Sequence, residues 1–598
     1  MTRLTYILAG VGVAAGLTAT LALSGPPTSA AAPAALELVN PDRLAGSICS
    51  SRPGGTKGRL LLAAATPADA PENQKALEEE DPPLWKGLGK QSFPISHDDP
   101  KVQAYFDQGL RMAYGFNHFE ARRAFRAARR IEPDCAICYW GEALVLGPNI
   151  NAPMFPEAVE PAFALSRKAV ALKPHASDKE KALIDALVKR YPAPKGSSYA
   201  PDSEAYADAM AKVAAKYSGD HTIQALYAEA MMDTQPWDYW EADKRTPKGR
   251  TATILKVLEG VLEKEPDHPA AIHLYIHMVE ASTTPGRAES GADKLAALMP
   301  SAGHLVHMPS HIYYRIGRYK DSLETNVKAV KADEAYFSQV DAKNIYRFGY
   351  YPHNVHFVMV SAQMAGDRDT ALSLVNKLDS IVGEDSLANV PWAHPIKAAP
   401  YFALAQFGDA ERILKLPEPN DRYPYIKAMW HYARGIAYVK DENLDKAEKE
   451  AAAIARLTEK ADFSQLTDAF IPAYEAVDIA QLVLKGKIAQ TREQYDEAIV
   501  SLEKAVKLQD DLPYTEPPYW YYPVRQTLGA TMLMADRAAD AERVFMESLM
   551  DAPNNGWALY GLMTAQKAKG DKAAAKQSKA LFRKAWAGEK SRLELAQL

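Results

Sequence analysis

The segment 105–133, YFDQGLRMAYGFNHFEARRAFRAARRIEP, decides the fold of this chain. Small and apolar residues recur in it at steps of three and four, the spacing of one face of an α-helix. Asn117 can cap a second helix after the turn at residues 115–116, and Pro133 ends that helix. A helix pair of this size cannot bury its apolar face alone, so the segment predicts further copies along the chain.

Six residues of this segment stand at fixed places of a 34-residue frame. They are Tyr105, Gly109, Ala121, Phe125, Ala128 and Pro133, at places 4, 8, 20, 24, 27 and 32. Small residues at places 8 and 20 allow the two helices to approach closely, and a large residue at place 24 fills the gap beside them. The pattern resembles the tetratricopeptide repeat, a helix-turn-helix unit of that length.

The same places recur towards the C-terminus. They are held by Gly435 and Ala447, by Gly486, Tyr495, Ala498 and Ala505, and by Gly529, Ala541, Phe545 and Pro553. The unit at Gly435 is degenerate, since the small Ala451 holds place 24. The resemblance covers about ten units between residues 98 and 586. It implies an all-α fold, a right-handed superhelical solenoid whose concave groove is lined by the first helix of each unit.

Three phrases resemble a narrower group, exported bacterial tetratricopeptide-repeat proteins of unassigned role. They are CAICYWGEALVLGPNIN at 135–151, HMPSHIYYRIGRY at 307–319 and YTEPPYWYYPVRQTLG at 514–529. This resemblance implies a fold and a setting outside the cytoplasm. It implies no activity.

Composition and the N-terminal segment limit the partners and the cellular location expected for the protein. A net charge of −5 without a basic cluster argues against nucleic acid as a partner. Residues 1–30 combine Arg3 with an apolar run and small residues, which predicts an export signal or, if uncleaved, a membrane anchor. Residues 31–95, rich in Ala and Pro, predict a mostly disordered tether before a solenoid at 96–598. The expected location is periplasmic or extracellular, with membrane contact only through an uncleaved N-terminus.

Seven of the 14 histidines lie between residues 270 and 360, in register with the repeat. Pro266 and Pro300 each end a second helix 34 residues apart, so two histidines of one unit return at the same places in the next. A 49-residue step from Gly317 to Gly366 aligns the third unit in the same way. The seven, at places 2, 5 and 9, are His273, His277, His304, His307, His311, His353 and His356. These places share one helical face, which the resemblance assigns to the groove.

Histidines at this spacing can bind metal. His273 and His277 stand at i and i+4, and Glu280 at i+7 can add a carboxylate. The sequence therefore predicts a transition-metal site made of the seven histidines and Glu280, with zinc, copper or iron as the ion. Two metal-free alternatives stay open: a groove that binds a peptide, a protein or a small acidic ligand, and a purely structural polar network. No HExxH motif is present, because Leu274 follows His273, and the sequence does not decide between binding and catalysis.

Further residues are predicted to contact a groove ligand. Tyr314 and Arg315 follow the histidines of the second unit, and His394 begins a later first helix. A proline-rich loop is predicted either to pack on the next unit or to fold over the groove. Its candidate ligand-binding residues are Glu516, Trp520, Tyr521 and Arg525.

Two local features complete the prediction. Cys135 and Cys138 begin a helix three residues apart, which favours a local disulfide over a redox or metal-binding pair in an exported protein. Pro309 stands at place 7, inside a predicted first helix. It predicts either a late helix start or a kink at that position.

Overall fold

A computed structural model describes residues 77–193, 200–589 and 593–598. The predicted export signal or anchor at 1–30 and most of the predicted tether lie outside these residues. Within the described ranges the fold is all-α, and β-type pairing is limited to isolated bridges between Asn149 and Ala152 and between Trp240 and Pro247. None of the described helices combines the length and the apolar character needed to cross a bilayer.

The first half of the solenoid contains helices α1 to α14. They are α1 (Pro100–Tyr114), α2 (His118–Ile131), α3 (Ala136–Val145), α4 (Val159–Ala171), α5 (Asp178–Arg190), α6 (Ser203–Lys216), α7 (His221–Met232), α8 (Thr251–Lys264), α9 (Pro269–Val279), α10 (Glu289–Leu298), α11 (Gly303–His307), α12 (Pro309–Arg315), α13 (Tyr319–Phe337) and α14 (Tyr351–Ala365). A π-helical turn at Tyr346–Tyr350 leads into α14.

The second half contains helices α15 to α28. They are α15 (Arg368–Ser373), α16 (Val375–Ile381), α17 (Glu384–Asn389), α18 (Ala393–Phe407), α19 (Ala410–Leu414), α20 (Pro424–Lys440), α21 (Leu444–Lys460), α22 (Ser464–Thr467), α23 (Ala473–Thr491), α24 (Tyr495–Asp511), α25 (Val524–Met534), α26 (Ala538–Asp551), α27 (Gly556–Ala568) and α28 (Lys572–Ala585). Short 3₁₀ helices lie at Pro156–Ala158, Lys173–His175, Pro285–Ala288 and Leu595–Gln597.

Consecutive helices pack as helix-turn-helix units, with the large residue of place 24 wedged between small ones. Phe125 of α2 lies between Gly109 of α1 and Gly141 of α3, where an added Cβ would stand 2.7 and 2.4 Å from its ring. Phe545 of α26 lies against two glycines in the same way. The predicted all-α solenoid of helix-turn-helix units is therefore confirmed.

The first helix of the second histidine unit is interrupted at Pro309. α11 ends at His307 and α12 begins at Pro309, with Met308 between them at the helical angles φ −51° and ψ −37°. The helix does not start late, because His304 and His307 both lie in α11. The structure therefore does not have the predicted late start: the helix begins at Gly303 and is interrupted at Met308.

Residues 77–95 pack on the first helices, which corrects the C-terminal boundary of the predicted tether. The Trp85 indole donates to Glu120 Oε1 at 2.9 Å, and its backbone N–H donates to Gln108 at 2.7 Å. Leu88 and Phe93 are buried. Burying such large apolar side chains gains about 1.5–3 kcal/mol each, which offsets part of the entropy lost on ordering the segment.

The C-terminal units fold back onto the middle of the chain. The Trp557 indole donates to the Gln363 carbonyl, and the Ala587 N–H donates to the Ala365 carbonyl, both at 2.9 Å. Two hydrophobic cores result, one from residues 88–350 and one from residues 314–598. The loop at 512–523, here called the cap loop, runs between α24 and α25 and reaches the first core. Between the two cores lies a cavity of about 780 Å³, here called the inner cavity.

Candidate metal centre

Four elements of the first half bring the seven histidines together. α9 begins at Pro269, which needs no N–H partner at a helix start. The histidines are distributed as His273 and His277 on α9, His304 and His307 on α11, His311 on α12, and His353 and His356 on α14. All are buried except His353, which is partly exposed. The histidines therefore converge on the helical face that the repeat register predicts.

The first triad consists of His273, His277 and His304, whose ligand atoms all lie within 4.8 Å of one another. The Nε2 atoms of His273 and His304 are 3.2 Å apart. The Tyr114 carbonyl accepts from Nδ1–H of His273 at 2.7 Å, and Glu280 Oε1 accepts from Nδ1–H of His277 at 2.6 Å. A neutral ring that carries its proton on Nδ1 keeps a lone pair on Nε2, so Nε2 is the available ligand atom.

The second triad consists of His307, His311 and His353, whose ligand atoms also lie within 4.8 Å of one another. The Nε2 atoms of His307 and His311 are 2.8 Å apart. Asn326 Oδ1 accepts from Nδ1–H of His307 at 2.6 Å, which again leaves Nε2 as the free ligand atom. The ring centroid of His353 lies 4.8 Å from that of His307.

Two buried carboxylates meet at His311. Its Nδ1 lies 2.7 Å from Glu280 Oε2 and 3.2 Å from Glu516 Oε2, and these three residues form a third group of potential ligands. Glu280 was predicted to complete the site of His273 and His277. In the structure its two oxygens instead link the triads, one on His277 and the other on His311.

Burial and the carboxylates set the charge of the centre. Burial, reinforced by neighbouring imidazoles, lowers the pKa well below the usual value in His273, His304, His307 and His353. Burial also opposes the charge of His311, but Glu280 and Glu516 outweigh it and raise the pKa of His311 to about 10. Burial favours protonation of Glu280, but His311 and His277 outweigh it and hold the pKa of Glu280 well below its usual range. Most of the rings are therefore neutral, the form that binds a metal ion.

The inner cavity opens beside both triads, and several large aromatic residues line it. These residues include Trp237, Tyr350, Trp392, Tyr514 and Tyr521. His356, predicted as a ligand, also lines the cavity but joins neither triad. It packs against Tyr521, and neither of its ring nitrogens has a hydrogen-bond partner among the described residues. His356 lies about one helical turn beyond His353 on α14, and this displacement along the helix places its ring outside the second triad.

The cap loop closes over the cavity, as one reading of its sequence predicts. Glu516 and Tyr521 line the cavity, and Tyr514 O–H donates to Glu280 Oε2 at 3.0 Å. Tyr314 and Arg315, by contrast, lie behind the wall of the cavity. Arg315 donates to the carbonyls of Glu280 and Ser282 at 3.0 Å each, so it holds the C-terminal end of α9 in place.

Three predicted groove residues lie outside the cavity lining. The indole of Trp520 packs in the second core, with ring centroids 5.1 Å from Phe402 and 5.2 Å from Tyr432, because a large apolar ring gains more by burial there. Arg525 pairs with Asp510 at the end of α24 at 2.6 Å. His394 donates from Nε2 to the Leu387 carbonyl at 2.9 Å. These contacts correct the assignment of all three to the ligand site.

The sequence interpretation missed the groups that orient the imidazoles. Asn326 stands at place 24 of its unit, where Phe125 and Phe545 stand in theirs. A polar residue at a core place needs a buried partner, and this signal could have identified it. The Tyr114 carbonyl left no such signal, because it reaches His273 from 159 residues away.

The predicted disulfide site lies apart from the histidines. Cys135 and Cys138 are joined by a disulfide at the start of α3, and neither sulfur lines the inner cavity. The candidate centre therefore offers imidazole and carboxylate ligands, without thiolate from the described residues.

Comparison with protein-family models gives no match, and neither does comparison with curated protein sequences. Among solved structures, the chain is similar to the human IFIT1 dimer with m7Gppp-AAAA, at 12% identity and a TM-score of 0.31, covering 82% of this chain and 95% of that one. It is also similar to yeast Tom70, at 12% identity and a TM-score of 0.27, covering 81% and 91%. The TPR domain of P58(IPK) is similar at 12% identity and a TM-score of 0.21, covering 79% and 99%. Such low scores carry no inference about a ligand or a function.

Proposed function

We propose that this protein is a helical-repeat protein that binds transition-metal ions in its inner cavity through buried histidines. One observation carries the proposal. His273, His277 and His307 each donate Nδ1–H to an acceptor of the protein at 2.6–2.7 Å and keep Nε2 for another ligand. Histidines that bind metal are held by just such a second hydrogen bond, which fixes the tautomer and the direction of the ring.

The distances between ligand atoms support the same proposal. Tetrahedral nitrogen ligands with bonds of 2.0–2.1 Å lie about 3.3 Å apart. The Nε2 atoms of His273 and His304 are 3.2 Å apart, so one ion can contact both after a small shift of either ring. Imidazole combined with carboxylate suits zinc, copper and iron, the ions expected from the sequence.

The shape of the cavity favours a small ligand over a protein partner. Its volume of about 780 Å³ is that of a small-molecule site. The cap loop lies across it, held by the bond from Tyr514 to Glu280. Helical-repeat solenoids commonly bind peptides or proteins in the groove, but here such a partner would have to displace the cap loop.

The direct test is the metal content of the protein, purified without a His tag and without added metal. We expect bound zinc, copper or iron by elemental analysis, and a clear loss of it in His273→Ala. His394→Ala is the matched control, because His394 is also a buried helical histidine but lies outside the centre. A wild-type protein that carries no metal and takes up none of the three ions on dialysis would refute the proposal.

Metal-dependent catalysis on a small molecule is a second candidate, favoured by the space beside the triads. Three protein ligands leave an open coordination position, and the inner cavity has room there for more than an ion. Azide added to the Co²⁺-loaded protein should change its visible spectrum if that position is open to exchange. An unchanged spectrum would argue for a closed, purely binding site.

We also propose export, which the disulfide between Cys135 and Cys138 supports, because disulfides persist in oxidising compartments. Expression in a bacterial host should place the chain outside the cytoplasm, and deletion of residues 1–30 should retain it inside. Equal distribution of the two forms would contradict export.

A further inference from the structure

We infer that the inner cavity holds two metal ions at once, one in each histidine triad. This inference rests on the proposed metal binding and specifies its stoichiometry. The ligands are first-row divalent ions such as Zn²⁺, for which imidazole is a favourable ligand.

The two triads are complete and share no residue. Each offers three ligand atoms within 4.8 Å of one another, and the six imidazoles form two groups rather than one. Ligands of a single ion with bonds of 2.0–2.1 Å lie within about 4.2 Å of each other. One ion would therefore leave a full set of three imidazoles unused, and those imidazoles are already gathered around a second position.

The triads are neighbours across two pairs of rings. The ring centroids of His304 and His307 are 6.0 Å apart, and those of His277 and His311 are 6.1 Å apart. His304 and His307 follow each other within α11, while α12 brings His311 back beside α9. Both positions therefore border the same inner cavity.

Two buried carboxylates lie beside the two proposed ion positions. Two divalent ions in a low-dielectric cavity repel each other unless anions lie between or beside them. Glu280 is fully buried and touches one ligand of each triad, Nδ1 of His277 at 2.6 Å and Nδ1 of His311 at 2.7 Å. Glu516, also buried, lies 3.2 Å from the same nitrogen of His311. One carboxylate thus connects the two ion positions through their ligands, and a second adds charge beside one of them.

Each triad also contains two imidazole nitrogens at close range. Nε2 of His307 lies 2.8 Å from Nε2 of His311, Nδ1 of His307 donates to Asn326 Oδ1 at 2.6 Å, and Nδ1 of His311 lies 2.7 Å from Glu280 Oε2. A protonated His311 donates Nε2–H to Nε2 of His307 in this contact, and a divalent cation that displaced the proton would lie between the same two nitrogens. Nε2 of His304 lies 3.2 Å from Nε2 of His273 and can donate to it, because Nδ1 of His304 has no hydrogen-bond partner among the described residues. Each triad therefore contains one imidazole pair placed for a cation.

The experiment is a calorimetric titration of the full chain with Zn²⁺ after removal of metal with a chelator. We expect two equivalents for the wild type, one for His304→Ala, one for His353→Ala and none for the double variant. His394→Ala should keep two. Circular dichroism checks that each variant is folded, and the wild-type stoichiometry decides the inference even if a variant is not.

The possible outcomes separate this inference from the function on which it rests. A single equivalent in the wild type would overturn the two-ion centre and leave metal binding intact. No binding of Zn²⁺ would overturn both. Two equivalents that persist in His304→Ala and in His353→Ala would place the ions elsewhere and would also overturn the inference.

Discussion

At the scale of single residues, the acceptors behind the imidazoles decide which nitrogen faces the cavity. Asn326 accepts from Nδ1–H of His307 and Glu280 Oε1 from Nδ1–H of His277, while Glu280 Oε2 lies 2.7 Å from Nδ1 of His311. A histidine held in this way presents a lone pair in a fixed direction, so less entropy is lost when an ion binds. In the proposed metal centre, the affinity would therefore depend on the residues behind the imidazoles as well as on the imidazoles.

Replacement of Asn326 should weaken metal binding without removing a ligand. Asn326→Leu has a similar volume but no acceptor for His307, so we expect the affinity for Zn²⁺ to fall by about 10–100-fold. Asn326→Asp keeps an acceptor and should retain the wild-type affinity. Competition with a chromophoric chelator measures both variants. Equal affinities for the Leu and Asp variants would show that the hydrogen bond does not orient the ring.

A second buried residue predicts a pH dependence of stability. Burial outweighs the hydrogen bonds from Asn354 and Tyr346 and raises the pKa of Asp333 from 3.8 to about 7. The folded state therefore keeps a proton that the unfolded chain releases, so stability is full below pH 3.8 and falls as the pH rises to about 7. At 1.36 kcal/mol per pKa unit, the loss approaches about 4 kcal/mol.

Asp333→Asn should remove this dependence. The amide of Asn354 can turn to accept from the new side chain, because its Oδ1 has no hydrogen-bond partner among the described residues. Relative to the wild type, the variant should gain stability from pH 3.8 to about 7 and change little above that. Denaturant unfolding of both proteins across that range measures the difference. A difference independent of pH would contradict the raised pKa.

At the scale of helices, close approach depends on glycine facing a large ring. Phe125 fits between α1 and α3 only because Gly109 and Gly141 have no Cβ. The interruption at Pro309 acts at the same scale. It divides one first helix into α11 and α12, and it separates His307 of one piece from His311 of the other.

A single methyl group at this contact should be costly. In Gly109→Ala the Cβ would stand 2.7 Å from the Phe125 ring, and overpacking of this kind costs about 1–3 kcal/mol. Gly260→Ala in α8 is the matched control, since no atom lies within 4 Å of its added Cβ, and there the change should stabilise by about 0.5–1 kcal/mol. Denaturant unfolding gives both values, and equal effects would show that the contact is not tight.

At the scale of the whole molecule, the site depends on the closure of the solenoid. The cap loop brings Tyr514 to Glu280 across 234 residues, and Trp557 holds the C-terminal units on α14. The centre is thus enclosed by two cores that meet only through the folding back of the chain. In the proposed metal centre, an ion held between the helices of the first core and beneath the cap loop of the second would stabilise this closed arrangement.

Metal should therefore raise the thermal stability of the closed molecule. An ion at a free concentration 100 times its Kd stabilises the folded state by about 2.7 kcal/mol per site. We expect Zn²⁺ to raise the Tm of the wild type and to have little effect on a His273→Ala, His353→Ala double variant. Mg²⁺ is the ionic control, because imidazole binds it poorly. The same rise with both ions would indicate a nonspecific salt effect.

The sequence by itself determined the repeat unit, the helical class and the register of the histidines. These follow from contacts between residues within a unit and between adjacent units, such as Phe125 with Gly109. The spacing of residues over short stretches of the sequence specifies such contacts. The spacing of His307 and His311 behind His273 and His277 is of the same kind. It places all four on one face whatever the course of the rest of the chain.

Only the tertiary structure decided which further groups reach that face. Glu516 joined the histidines, whereas Trp520 and Arg525 of the same segment turned to the second core and to Asp510. The joining depends on how the small rotation from each unit to the next accumulates over many repeats and insertions. No local sequence pattern specifies this accumulated rotation, because a difference of a few degrees per unit would move the cap loop away from the cavity that it closes.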